Sequence, residues 1–248
     1  MTVASPGQGD VVKQQVAAHW DRRAATFDED FGHSIRTTDE RRAWDRILDL
    51  VLHGRGALDA LDVGSGTGFL AFELTTCGHR VTGVDFAPAM IAQARQKADA
   101  LGASVRFEEA DAEQLPFPPT SFDLVISRHV LWTLPHPEAA IDEWIRVLRP
   151  GGRLVVVDGH LPAGAPAPAP AAEGARASRE YAEVGDRLPF LPGRSREEIA
   201  ALLTGHGLVD VGSDPLLDLV AAQARRLAEE GRAPSARQRY VVWGDRAR

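Results

Sequence analysis

One segment of the chain, residues 61–69, constrains the fold more than any other. It reads Leu-Asp-Val-Gly-Ser-Gly-Thr-Gly-Phe: an apolar run that ends in three alternating glycines and continues into an apolar helical pattern. Glycine adopts positive φ and lets the backbone approach a ligand, and the start of the following helix presents free N–H groups. The segment therefore predicts a strand, a tight turn and a helix that bind a nucleotide-like ligand.

The same alternation of strand and helix continues along the chain. Apolar helical faces separate short runs rich in Val, Leu and Ile, which is the pattern of a parallel sheet with crossover helices. A capping box, Ser195 with Glu198, predicts the start of a late helix. The predicted strands are 57–63, 80–85, 105–109, 122–127, 153–158, 208–211 and 239–243.

The glycine loop does not match the two common phosphate-binding patterns. A dinucleotide fingerprint needs Gly at position 69, where this chain has Phe69, and a P-loop needs Gly-Lys-Ser/Thr, which is absent. The loop is therefore expected to hold a nucleoside part that carries no phosphate.

Carboxylates stand at the ends of the next two predicted strands. Asp85 lies 19 residues after Gly66, where an acidic side chain can accept hydrogen bonds from both hydroxyls of a ribose. Asp111, followed by Ala112, comes after the third strand, where a carboxylate can recognise an adenine amino group. Since parallel strands end at one edge of a sheet, these residues and the loop are expected to converge on an adenosine.

Four runs in this order resemble the class I S-adenosylmethionine-dependent methyltransferases, in particular the small-molecule branch with the ubiquinone, menaquinone and biotin-pathway enzymes. The resemblance covers about residues 57–159 and implies S-adenosyl-L-methionine as cofactor and S-adenosyl-L-homocysteine as product. An early run, AHWDRRAATFD, is similar to the helix that these enzymes place over the cofactor. The four runs are ALDVGSGTGF, GVDFAPAMIAQAR, EEADAEQLPFPPTSFDLVISRHVLWTLP and RVLRPGGRLVVVDG.

The resemblance also implies a fold and a division of the chain. The implied fold is a Rossmann-like, doubly wound α/β sheet of seven mostly parallel strands with an antiparallel last strand, an N-terminal helical cap and a lid insert after the fifth strand. Residues 1–53 are expected to form a tail and the cap, and residues 54–248 the methyltransferase domain. The insert is placed at about 160–194, where Ala and Pro alternate over much of 161–177.

The family's cofactor contacts can be carried onto matching positions. The loop glycines would pass under the methionine part, Asp62 would fix its amino group, and Phe86 and Met90 would pack near the adenine. Asp62 could instead cap a helix, and Met90 could be plain core. Arg128 is expected to point to the methionine carboxylate or to an acidic side chain. The implied cofactor-binding residues are Trp20, Asp62, Gly64, Ser65, Gly66, Thr67, Gly68, Asp85, Phe86, Met90, Asp111, Ala112, Ser127 and Arg128.

Methyl transfer from a sulfonium is an in-line displacement in which the protein mainly positions the acceptor and excludes water. A general base helps only if the acceptor is a hydroxyl or a protonated amine. His129 and His160, at the ends of the fourth and fifth predicted strands, are the candidates, with Asp158 as a weaker third. Both histidines could instead be structural. No His, Cys and carboxylate spacing indicates a metal site.

The acceptor is expected to be a small, planar or partly hydrophobic metabolite methylated on O, N or C. Its contacts should come from the N-terminal cap and the insert, although each aromatic side chain could instead belong to the core. A quinone- or lipid-type acceptor and a non-catalytic regulator that binds an adenosine cofactor are the alternatives. The candidate acceptor-binding residues are Phe27, Phe31, His33, Trp132, Tyr181 and Phe190.

Composition excludes several classes of partner. The net charge of −7 and the pI near 5.6 provide no basic field for nucleic acid. The chain lacks a run of about 18 apolar residues, a secretory signal and a basic amphipathic helix, so no membrane partner is expected. The single cysteine, Cys77, excludes an intrachain disulfide. These features favour a cytoplasmic protein, and they leave its oligomeric state open.

Overall fold

The central sheet has seven strands in the order β3-β2-β1-β4-β5-β7-β6. The computed structural model describes residues 8–162, 185–191 and 193–248. The strands are β1 (Asp59–Val63), β2 (Arg80–Asp85), β3 (Val105–Glu109), β4 (Phe122–Arg128), β5 (Leu148–His160), β6 (Leu208–Asp214) and β7 (Gln238–Arg246). The α-helices are α1 (Gln8–Arg23), α2 (Thr38–Leu52), α3 (Phe69–Thr76), α4 (Pro88–Leu101), α5 (Pro137–Val147), α6 (Arg196–Gly205) and α7 (Leu217–Glu229).

The first five strands are parallel, and β7 runs antiparallel to both of its neighbours, β5 and β6. This confirms the predicted fold class, including the antiparallel last strand. β1 pairs with β2 on one side and with β4 on the other, so the strand order reverses there. Open α/β sheets bind ligands outside the carboxyl ends of the strands at such a switch point.

Local chemistry explains where the helices begin and end. The predicted capping box is present at α6: the Ser195 side chain accepts from the Glu198 N–H, and the Glu198 carboxylate accepts from the Ser195 N–H. Helix α4 starts with Pro88, whose missing N–H costs nothing in the first turn, and ends at Gly102 with φ of 61°.

Several boundaries differ from the prediction: β1 begins two residues later than expected, and β4 to β7 extend beyond their predicted ends. β5 begins at Leu148, earlier than the expected residue 153, because Leu148 already pairs with Phe122 ahead of the Pro-Gly-Gly bend. Helix α5 therefore ends at Val147. Helix α1 begins at Gln8, so the helical part of the expected tail and cap starts there.

A hydrophobic core lies on each face of the sheet. One core includes Trp144 of α5 and Leu203 of α6, and the other includes Trp44 of α2, Leu74 of α3 and Ile91 of α4. Helix α2 thus packs on the sheet, whereas α1 and the 3₁₀ helix Ala24–Glu29 lie over the site described below. Among the described helices, none combines the length and apolarity that a membrane crossing requires.

Candidate functional site

A pocket opens at the carboxyl ends of β1 to β4. Its floor comes from the glycine loop after β1 and from the residues that end β2, β3 and β4. Its roof is one face of α1, where Lys13, Val16, Ala17 and Trp20 recur at helical spacing. The pocket is therefore built by four strand ends of the sheet and closed by the N-terminal helix.

The glycine loop needs its glycines for two reasons. Gly64 has φ of 68°, and a Cβ there would lie 2.1 Å from a methyl carbon of Val130. Gly66 has φ of 54°, and its N–H donates to Asp85 Oδ2 at 2.8 Å. Ser65 between them lines the pocket, and its buried Oγ has no hydrogen-bond partner among the described residues. Among the described residues, this hydroxyl is therefore available to a ligand in the pocket.

Asp85 joins the end of β2 to this loop. Its second oxygen, Oδ1, accepts from the Ala87 N–H at 2.9 Å, so both oxygens are held by backbone donors. Burial raises the pKa of this carboxyl, while the hydrogen bonds from Ala87 and Gly66 lower it. Each carboxylate oxygen can accept more than one hydrogen bond, so the fixed group can still receive ligand hydroxyls from the pocket side.

Asp62, which lines the same pocket, also caps helix α3. Its Oδ2 accepts from the Ala71 N–H at 3.0 Å. Burial raises the pKa of Asp62 to about 7, the Asp85 charge adds to this rise, and the Ala71 hydrogen bond and the Arg128 charge oppose it. Asp62 therefore both caps helix α3 and lines the pocket.

Asp111, at the end of β3, contacts the roof helix. Lys13 Nζ lies 2.7 Å from Asp111 Oδ2 and 2.6 Å from Glu113 Oε2. Burial lowers the pKa of Lys13, but the hydrogen bonds and charges of the two carboxylates outweigh burial and raise it. Sequence reasoning missed Lys13. Its position two helical turns before Trp20 was the available signal, because residues seven apart share a helix face.

Further contacts tie the cap segment to the floor. The Thr67 hydroxyl donates to Asp28 Oδ1 at 2.5 Å, and Lys97 Nζ lies 2.7 Å from Asp28 Oδ2. Asp21 Oδ1 accepts from the Ala89 N–H, at the first turn of α4, at 2.8 Å. These pairs join residues far apart in sequence, and no local pattern predicts them.

Arg128, at the end of β4, lies beneath the cap. Its Nη2 donates to the Gly32 carbonyl at 2.7 Å and lies 3.5 Å from His33 Nδ1. Its guanidinium carbon is 4.5 Å from the centroid of the Phe69 ring. The aromatic face stabilises the cation at a site that also borders the pocket.

His129 is the next residue in the chain after Arg128, and its φ of 61° lies in the left-handed region. Its Nδ1 is 3.1 Å from Asp158 Oδ1, and its Nε2 is 3.2 Å from Arg239 Nη1. A guanidinium only donates, so Nε2 accepts, and the ring proton resides on Nδ1 and is donated to Asp158. The histidine is thus held as one neutral tautomer between a carboxylate and a cation.

The structure brings most of the predicted site residues to one pocket and leaves others outside its lining. Three predicted cofactor-binding residues are not part of the lining. Thr67 and Gly68 lie in the turn that leads into α3, and the Ser127 hydroxyl donates to the Val63 carbonyl within the sheet. Tyr181 lies outside the described residues. The predicted residues that line the pocket are Trp20, Phe27, His33, Asp62, Gly64, Ser65, Gly66, Asp85, Phe86, Met90, Asp111, Ala112, Arg128 and His129.

The other acceptor candidates lie away from the lining. Trp132 and Phe190 are buried in the core on the α5 face, and the Phe31 ring packs under the Arg226 guanidinium at 4.5 Å. His160, at the end of β5, is also not part of the lining. Within the described parts of the chain, no cluster of three or more His, Cys, Asp or Glu side chains is arranged to hold a metal ion.

Residues 61–156 match the family described as the methyltransferase domain. A demethylmenaquinone methyltransferase of Thermus thermophilus is 47% identical over 115 residues, 46% of this chain and 52% of that protein. A phosphatidylethanolamine N-methyltransferase of Cereibacter sphaeroides is 34% identical over 141 residues, 55% of this chain and 64% of that protein. The chain thus spans about half to two thirds of these relatives.

A solved structure has the same fold over the whole chain. Phosphoethanolamine N-methyltransferase 2 of Haemonchus contortus, in complex with S-adenosyl-L-methionine, superposes with a TM-score of 0.71 at 16% sequence identity. The match covers 100% of this chain and 62% of that one. At this identity the likeness concerns the fold alone.

Proposed function

We propose that the protein transfers a methyl group from S-adenosyl-L-methionine to a small molecule, because residues 61–156 match the methyltransferase domain family and the chain is similar to a menaquinone enzyme. The observation that carries the proposal is the Asp85 carboxylate. It is buried at the end of β2, anchored by two backbone N–H groups, and directed with the glycine loop toward one pocket. This is the arrangement that recognises an unphosphorylated ribose.

The residues present fit this cofactor. The loop hydroxyl of Ser65 is buried without a partner among the described residues, and a side chain at Gly64 would collide with Val130. Asp85 would receive the ribose hydroxyls, Asp111 and Ala112 would face the adenine edge, and Met90 would pack against the base. Asp62, at the methionine end, would hold the amino group.

When bound, the cofactor would supply a methyl group already activated by a positive sulfonium to an electron pair of the acceptor, and its sulfur would keep the electrons of the broken carbon–sulfur bond. The protein contributes alignment of the acceptor and exclusion of water. The cap helix α1, with Trp20 edge-on to Phe27 at a centroid distance of 5.7 Å, closes the pocket for this purpose.

His129 lines the pocket, but its contacts do not suit a general base. Nδ1 carries a proton toward Asp158, and the Nε2 lone pair accepts from Arg239. Taking a proton from the acceptor would require Arg239 to withdraw. We therefore assign His129 a positioning role and propose an acceptor atom that needs no protein base in this arrangement.

The acceptor class is a narrower part of the proposal. The apolar walls, Val16, Phe27, Val130 and Leu134 among them, favour a partly hydrophobic metabolite. The related proteins are named for a quinone and a phospholipid acceptor, so both of these are retained as alternatives. A cytoplasmic location, expected from the sequence, belongs to the same proposal.

Calorimetric titration of the purified protein with S-adenosyl-L-methionine, S-adenosyl-L-homocysteine and NAD tests the donor assignment. Micromolar binding of the first two and no binding of NAD is the expected result. Release of S-adenosyl-L-homocysteine when cell extract is added would establish transfer. Binding without release with any fraction of the extract would favour the regulator alternative, and tighter binding of NAD would overturn the proposal.

A further inference from the structure

A lysine of the roof helix α1 bridges two acids of the turn that follows β3. Lys13 Nζ is 2.7 Å from Asp111 Oδ2 and 2.6 Å from Glu113 Oε2. Lys13 and Asp111 both line the pocket, whereas Glu113 is not part of the lining. The lysine therefore connects an acid that faces a ligand with an acid that stands behind it.

The Asp111 carboxylate is fixed at both of its oxygens. Oδ1 accepts from the Glu113 N–H at 2.9 Å, and Oδ2 accepts from Lys13. The first donor belongs to the same turn as Asp111, but the second lies 98 positions earlier in the chain. The two carboxylate oxygens together can accept about four hydrogen bonds. The group is therefore oriented by the chain and can still accept from a ligand.

Lys13 is itself held in place by its surroundings. Its second partner, Glu113, is only 5% exposed, and Glu113 Oε1 accepts from the His136 N–H at 2.7 Å. His136 Nδ1 lies 3.0 Å from Glu113 Oε2, the oxygen that Lys13 also contacts. One helical turn before Lys13, a Cβ built on Gly9 would lie 2.9 Å from His136 Cε1. The glycine thus lets α1 approach closely, and the ammonium has a fixed position beside Asp111.

An acceptor that is fixed in this way selects ligands by their donors. An ionised carboxylate only accepts hydrogen bonds, so it favours a ring that carries an amino group over a ring that lacks one. A group that is already oriented also loses less conformational freedom when the ligand binds. Recognition of an amino group by Asp111 should therefore depend on Lys13.

We propose that Lys13 is a positioning residue for recognition of adenine: it holds Asp111 Oδ2 so that the carboxylate accepts from the 6-amino group of the ring. This inference rests on the proposed function, in which Asp111 faces the adenine edge. Lys13 acts through Asp111 and needs no contact with the base. Selectivity for an aminopurine then depends on a residue of the cap helix, so the adenine site is complete only with α1 in place.

Two ligands that differ in one group test the proposal. They are S-adenosyl-L-homocysteine and its 6-deamino analogue, in which a hydrogen atom replaces the amino group of the purine. Calorimetry gives the dissociation constant of each, and the ratio of the two constants measures the amino-group preference. We expect the wild type to bind the amino compound roughly tenfold tighter or more, the effect of one hydrogen bond to a charged group.

Variants at Lys13 separate positioning of Asp111 from closure of the cap. Lys13→Met keeps an apolar stem without the cation and should reduce the amino-group preference several-fold. Lys13→Arg should retain more of the preference, because a guanidinium can still donate to Asp111. If Lys13 only held α1 over the pocket, its loss would weaken both ligands by the same factor and leave the ratio unchanged.

Arg22→Met is the matched control, because it removes an exposed cation from the same helix and should preserve both dissociation constants. Circular dichroism establishes that each variant folds. Lys13→Gln, which is neutral and polar, provides the same comparison if the methionine variant does not fold.

The two levels of the proposal fail in different ways. Equal binding of both ligands to the wild type would overturn amino-group recognition, and a preference that is unchanged or larger in Lys13→Met would overturn the positioning role. Either result leaves binding of S-adenosyl-L-homocysteine, and with it the donor assignment, intact. Failure of the wild type to bind S-adenosyl-L-homocysteine would instead overturn the proposed function together with this inference.

Discussion

The Asp62 carboxylate caps helix α3 and also lines the pocket, so its protonation state affects both the helix and the pocket. Its pKa of about 7 is raised above the ordinary value of 3.8 chiefly by burial. The folded protein therefore holds a proton that the unfolded chain releases between these values. The stability that this proton contributes is fully present below pH 3.8 and is lost as the pH rises to about 7.

The same proton should control cofactor binding. In the proposed function the ionised carboxylate holds the ammonium of the cofactor, so affinity should increase roughly tenfold from pH 6 to pH 8 as a group of pKa near 7 ionises. Calorimetry of wild type and Asp62→Asn across this range gives the test, because titration of the ligand itself cancels in the comparison. Parallel pH profiles for the two proteins would contradict the role of Asp62.

Asp85→Ala should weaken binding of S-adenosyl-L-homocysteine roughly tenfold or more, because hydrogen bonds to a charged group contribute about 1.5 to 3 kcal/mol each. The variant also removes two anchors of the loop, so circular dichroism must confirm that it folds. Asp99→Ala, an exposed change on α4, is the control and should bind as wild type. Unchanged affinity in Asp85→Ala would refute the ribose assignment.

The residues at strand ends could be predicted because the carboxyl ends of parallel strands lie at one edge of the sheet. Asp62 and Asp85 lie at the carboxyl ends of β1 and β2, Asp111 follows β3, and all three line the pocket. Lys13 and Arg239 were not predictable in this way. Arg239 meets His129 across 110 positions of sequence, and only the insertion of β7 beside β5 creates that contact.

At the scale of elements, α1 is held over the pocket by a cation on its inner face. Lys13 bridges Asp111 and Glu113, and all three side chains are at least three quarters buried. Lys13→Met should leave the fold intact and increase the rate of S-adenosyl-L-homocysteine dissociation several-fold, since a partly buried pair contributes more than the 0 to 1 kcal/mol typical of exposed ones.

Stopped-flow dissociation, with hydrogen exchange of α1 as a second measurement, tests this role of Lys13. Gln14→Ala changes the exposed neighbour on the same helix and should preserve both rates. If the two variants release ligand at the same rate, the ion pair does not hold the cap closed.

Elements with strong local signals matched their predictions closely. β2 and β3 have the predicted bounds, because each is a short strand limited by turn residues. β5 was predicted too short, since its first residues include Pro150 and the two glycines that usually end a strand. Tertiary pairing of Leu148 with Phe122 outweighed this local preference.

At the scale of the whole molecule, a buried ion pair joins two helices that are distant in sequence. Arg226 of α7 and Glu40 of α2 lie 3.1 Å apart with 6% and 2% of their side chains exposed. Arg226→Met should cost about 3 to 5 kcal/mol in the free energy of unfolding, because Glu40 would remain buried as an unpaired charge. Urea denaturation measures this loss.

The neighbouring pair offers a matched control. Arg225 and Asp39 connect the same two helices, but their side chains are 59% and 46% exposed. Arg225→Met should therefore cost under about 1 kcal/mol. Similar losses for the two variants would show that burial does not decide the strength of these pairs.

The position of β7 between β5 and β6 also sets an order of assembly. Among the strands that the structure describes, β6 pairs only with β7, which follows it after helix α7, so we expect β6 to join the sheet only after the later strand has docked on β5. Contacts between residues distant in the chain form slowly, since loop closure costs entropy before pairing compensates for it. We expect the glycine loop and Asp85 to be in place early during folding, whereas Arg239 reaches His129 only when this last insertion is complete.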